Sequence, residues 1–73
     1  MDIKFSDKDK NRAVCYSNIC GIELHRVFSP SKDDYKNFVL IIDESGWCCK
    51  IFLLDTFIVK CDGCFIEFEN AIV

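Results

Sequence analysis

Alanine is almost missing from this 73-residue chain, where only Ala13 and Ala71 represent the strongest helix former. Isoleucine, phenylalanine and valine carry the apolar content instead, and β-branched and aromatic side chains fit a pleated surface. The composition therefore excludes a helix-dominated fold and predicts a β-rich one. Long apolar runs are missing too. No stretch approaches the roughly 20 residues that a membrane-spanning helix needs, and the opening MDIKFSDKDKNR lacks the apolar segment that follows the basic start of a signal peptide. The expectation is a soluble cytoplasmic protein, in the host cytoplasm if it is viral, with no membrane partner.

Three glycines, one proline and one histidine leave little material for a catalytic signature. There is no glycine-rich loop to cradle phosphate and no strand-to-helix elbow to present a nucleophile. His25, as a lone imidazole on a strand, reads as a surface or hydrogen-bonded residue. The expectation is a protein that is not an enzyme. A continuous basic patch is also absent, because Lys8, Lys10 and Arg12 alternate with Asp7 and Asp9. Nucleic-acid binding needs such a patch to neutralise phosphates, so direct binding is disfavoured. The net charge is −3, and its acidity lies in residues 37–73, which hold six carboxylates against two lysines.

What is present is enough apolar material, 51% of residues, for a small core and an interface. A domain of this size buries only about 60% of the surface its unfolded chain exposes, and it commonly draws further stability from disulfides, a metal or a partner subunit. Without a linker, an internal repeat or a low-complexity segment, residues 1–73 read as a single domain.

The pattern predicts a mainly β, α+β fold: a small antiparallel sheet, a four-strand C-terminal meander and one short helix or turn near residues 30–37. DIKF alternates and reads as a short edge strand, followed by a charged loop. Residues 12–28 fit either a helical face or alternating strands, and Asn18 and Gly21 favour two strands and a turn. SPSKDD carries a helix start, with Ser29 as cap, Pro30 at the first position and Asp33 and Asp34 near the positive end of the dipole. FVLIID and WCCKIFLL, joined by ESG, form a hairpin in which Gly46 takes the left-handed position of a three-residue loop. An unbroken strand from Trp47 to Cys61 would run about 50 Å, so the chain must turn or bend between Leu54 and Phe57, with Asp55 and Thr56 at the corner. FIVKC and CFIEF then flank Asp62 and Gly63, an Asp-Gly hairpin signal.

That last hairpin contains Cys61 and Cys64, the one pair among six cysteines at CxxC spacing. Around an Asp62-Gly63 turn, Cys61 faces Cys64, Val59 faces Ile66 and Phe57 faces Phe68, so the thiols end an apolar stripe and read as small buried side chains. Zinc is the alternative cofactor, with Cys15, Cys20, Cys61 and Cys64 as candidate ligands. Against it, Phe65 stands where a knuckle usually has glycine. A redox role is the second alternative, although no helix follows Cys64 to lower a thiol pKa. The primary reading has no metal and no cofactor.

These features lead to a small non-catalytic protein-binding module that occupies a partner's surface, of the inhibitor or adaptor type that viruses and mobile elements encode. The candidate partner-binding residues are Asp43, Glu44, Trp47, Asp62, Glu67 and Glu69: exposed acidity that suits a partner with a basic surface, beside a tryptophan that can serve as an anchor. FVLII and KIFLL are apolar on both faces, whereas an antiparallel strand normally has one wet face. A homodimer that covers the second face is the expected oligomer.

Overall fold

The computed structural model describes the whole chain, Met1–Val73. It is built from six strands, β1 (Asp2–Ser6), β2 (Ala13–Tyr16), β3 (Ile19–Ser29), β4 (Asp34–Asp43), β5 (Cys48–Asp62) and β6 (Phe65–Ala71). They form one sheet in the order β2-β1-β6-β5-β4-β3. All neighbours are antiparallel except β1 and β6, which run parallel. The mainly β class follows the composition.

β2 and β3, the two edges of the sheet, are consecutive in sequence and separated only by Ser17 and Asn18, with Asn18 at φ 58°. The sheet must therefore fold over so that its ends meet. The Ile19 amide donates to the Met1 carbonyl at 3.0 Å across that corner, and the Tyr16 hydroxyl meets Cys49 Sγ at 3.3 Å from the opposite layer. Between the layers lie Ile3, Phe5, Ile19, Val39, Ile41, Leu53, Phe68 and Ala71. Phe5 is fully buried, stacked on Phe68 with centroids 5.1 Å apart and met edge-on by Tyr16 at 6.0 Å.

DIKF is a strand, as expected, but β1 is interior rather than an edge, held by β2 on one side and β6 on the other. Ile3 and Phe5 explain this placement, because strict alternation gives β1 a wholly apolar inner face that only a central position can bury. The helix near residues 30–37 does not form. β3 and β4 pair without interruption to Ser29 and Asp34, and residues 30–33 make the turn, with Asp33 at φ 50°. Serine, proline and aspartate favour tight turns as strongly as helix starts, and the alternation of β4 decides between them.

The C-terminal meander has three strands, not four. β5 continues through Asp55 and Thr56, but its pairing breaks between Leu53 and Ile58. Fifteen residues would extend about 50 Å, whereas the longest dimension of the molecule is 36 Å, so the strand bends instead of stopping. Asn70 Nδ2 donates to the Thr56 carbonyl at 2.5 Å inside the bend. The ESG loop is as expected: Asp43 N–H donates to Trp47 O at 3.1 Å and Gly46 sits at φ 87°.

The β5–β6 turn uses Gly63-Cys64 rather than Asp62-Gly63, and only Gly63 of the two has positive φ, as in a type II′ turn. Moving the loop by one residue shifts the cross-strand register by two, so Cys61 faces Ile66 and Val59 faces Phe68. The faces are preserved and the partners change. Cys61 and Cys64 are nevertheless exposed rather than buried, because nothing packs over that end of β5.

Candidate protein-interaction surface

β4 pairs with β5 only from Asn37 onward, opposite Leu53. Beyond that point β5 bends away while β4 carries on toward the hairpin tip, which opens a wedge between them. The wedge is a depression of about 350 Å³ whose apolar walls are Tyr35, Phe52, Leu53, Leu54 and Ile72, with Lys36 and Asp55 among the charged residues on its margin. The C-terminus forms its floor, since Ala71 pairs with Leu53 and the Ile72 amide donates to Phe52 O at 2.9 Å. Tyr35, Phe52, Leu54 and Ile72 are all exposed, so four large apolar side chains surround one concavity.

The side chains around the wedge are held in place. Tyr35 is met edge-on by Phe28 at 5.3 Å, and the Arg26 guanidinium lies 4.3 Å above its ring. On the other face His25, Phe38 and Phe52 form a row, with centroids 5.0 and 5.9 Å apart, and Lys50 Nζ sits 4.6 Å from the Phe38 ring. The buried residues of β4 are Val39 and Ile41, both nearer the Asp43 end. The half of the hairpin toward Pro30 therefore has no second layer over either face.

The expected site residues fall in three separate places. Asp43, Glu44 and Trp47 share the β4–β5 loop, at the far end of β4 from the wedge. Asp43 is committed to that loop, where Oδ1 accepts from Ser45 Oγ at 2.6 Å, Ser45 N at 2.9 Å and Trp47 N at 3.0 Å. The Ser45 hydroxyl first, and then the amides, hold its carboxyl below the usual range. Trp47 is 57% exposed. Asp62 lies at the opposite end of β5 from Trp47. Glu67 and Glu69 are internally partnered: Lys4 Nζ is 3.5 Å from Glu67, while Lys60 and Lys10 reach Glu69 at 2.6 and 3.2 Å. Lys60, and then Lys10, lower the Glu69 pKa, and Glu69 in turn raises that of Lys60. The acidic residues thus make no single patch.

Cys15, Cys20, Cys61 and Cys64 do not converge, and no group of three or more cysteine, histidine or carboxylate side chains is placed to share a metal ion. All six cysteines are free thiols. His25 is a hydrogen-bonded surface residue, 3.1 Å from Glu23. Tyr16 is pushed up to about 12 by its hydrogen bond with Cys49, and further by burial. No helix is long and apolar enough to cross a membrane.

Sequence reasoning overlooked Tyr35, Phe52, Leu54 and Ile72 as a group. Its one usable signal was that FVLII and KIFLL are apolar on both faces. No protein-family model, curated protein or solved structure matches this chain.

Proposed function

We propose that this protein is a non-catalytic binding module that works by occupying the surface of a partner protein, and that the wedge between β4 and β5 receives an apolar side chain or turn of that partner. The observation that carries the proposal is the exposed set Tyr35, Phe52, Leu54 and Ile72 around one concavity, rimmed by charge. Aromatic anchors in a concave apolar centre with a polar rim are the usual layout of an interface hot spot. The inhibitor or adaptor role, in a virus or mobile element, belongs to the same proposal and rests on small size and the lack of a catalytic constellation. Trp47 at the other end of β4 is a second, smaller anchor.

The test is site-specific photocrosslinking in cells that naturally contain the protein. A photoreactive phenylalanine replaces Tyr35 or Leu54, and a control carries it at Lys8 in the charged loop. One discrete adduct shared by the first two positions, absent from the third and lost when Ile72→Ser is added, is the expected result. Adducts of equal yield at all three positions, or none, would overturn the proposal.

A further inference from the structure

β3 is an 11-residue edge strand with β4 on one side only. Past Ile19, whose amide is taken by the Met1 carbonyl, one row of its backbone N–H and C=O groups faces away from β4, and such an edge is a template for another strand. Glu23 and Arg26 put charge on the strand, but other usual protections are missing. No proline or lysine lies in Ile19–Ser29, and the one irregularity in its pairing lies at the Ile19 end. Leu24, Val27 and Phe28 are exposed along it, Leu24 at 59%.

We infer that the β3 edge pairs with the β3 edge of a second copy, antiparallel about a two-fold axis midway between the two Leu24 residues. This goes beyond the proposed function, because it concerns the free edge of β3 and not the wedge between β4 and β5. The argument for a second copy is the self-complementarity of the strand. Residues opposite each other in an antiparallel pair share a face, so a two-fold axis perpendicular to the sheet must set one residue opposite its own copy. Leu24 and His25 are the two central residues of the free edge, residues 20–29, and centring on either overlaps nine residues. Centring on Leu24 sets Glu23 opposite His25 of the second copy on one face, twice by symmetry, and Leu24 opposite Leu24 on the other. Centring on Glu23 or Arg26 would set like charges against each other, and centring on His25 would set Glu23 against Val27. Of the two registers of greatest overlap, the one centred on Leu24 is thus the one that gives Glu23 a hydrogen-bonding imidazole across the interface. It leaves the wedge open, because Tyr35, Phe52, Leu54 and Ile72 lie on β4, β5 and the C-terminus.

Sedimentation equilibrium from about 1 µM to about 1 mM, the range for an interface at the low end of size, tests this. The three chains are the wild type, Glu23→Lys/His25→Lys, which puts like charges opposite each other, and Glu23→Lys/His25→Glu, which restores complementarity. Thermal melts monitored by circular dichroism establish that each is folded. The expected pattern is a dimer in the wild type, at least about tenfold weaker in the first variant and within about threefold of wild type in the second. Hydrogen exchange should show β3 amides gaining protection with concentration. A monomer throughout would overturn the inference, and so would a dimer indifferent to both variants. Neither result touches the photocrosslinking test of the wedge.

Discussion

Replacing Phe5 by alanine probes the core that holds the wedge open. Phe5 is fully buried, stacked on Phe68 and edge-on to Tyr16, so the substitution removes a ring whose every side is in contact. Core Phe→Ala changes cost about 3–5 kcal/mol, and two aromatic pairs, each worth about 0.5–1.5 kcal/mol beyond burial, place this one toward the upper end. A 73-residue domain holds about 4–11 kcal/mol in total at roughly 0.05–0.15 kcal/mol per residue. With a urea slope near 1 kcal/mol per molar for so small a chain, the midpoint should fall by about 4 M, to the point of unfolding if stability is at the low end. Urea titration by far-ultraviolet circular dichroism measures the shift, with Phe52→Ala as the comparison. Phe52 is half-exposed and touches Phe38 on one side, so its loss should cost no more than about 1.5 kcal/mol. Equal shifts for the two variants would refute the placement of the core around β1 and β6.

Glu69→Gln should remove an acid-sensitive part of the stability. The folded Glu69 pKa is lowered, so its contribution is complete above the ordinary carboxylate range and is lost as pH falls through the depressed folded value. The Lys60 pKa is raised, so the same pair persists below the ordinary lysine range and is lost as pH rises through the raised value. Wild type and variant should therefore differ most near neutrality and converge in acid, as followed by urea midpoints across pH. Changing Cys61 and Cys64 to serine should alter stability by no more than about 0.5 kcal/mol each, as at other exposed sites. Iodoacetamide should modify five thiols of the folded protein readily and Cys49 last, since Cys49 alone is half-buried and meets Tyr16. Ultraviolet difference titration should place the Tyr16 phenolate near pH 12, and Cys49→Ala should lower that value.

Alternation and turn chemistry made most of the elements legible. Ile3 and Phe5 marked β1, Gly46 marked the ESG loop, and Asn18 marked the corner between β2 and β3. Local pattern could not show which strand lies beside which, because the parallel pairing of β1 with β6 joins residues more than 60 positions apart. It also gave the faces of the β5–β6 hairpin without its register, since moving the loop by one residue leaves every side chain on the same side. The burial expected of Cys61 failed because a face continues beyond the layer that covers it. The acidic site failed to assemble for a related reason. Glu67 and Glu69 are solvent-facing by period, yet Lys4, Lys10 and Lys60 arrive from other parts of the chain, leaving Glu67 half-buried and Glu69 buried instead of exposed. The wedge depends on the bend of β5, and only the length of WCCKIFLLDTFIVKC hinted at that.

The most direct test of the wedge as the functional surface is calorimetric titration of the crosslinked partner, once purified, with wild type and with Tyr35→Ser/Ile72→Ser. Each residue is about half-exposed, so the double variant should keep its fold, as a melt by circular dichroism would show. Two central hot-spot side chains worth about 2 kcal/mol each should weaken binding by about three orders of magnitude. An affinity within about threefold of wild type, in a folded variant, would contradict the account.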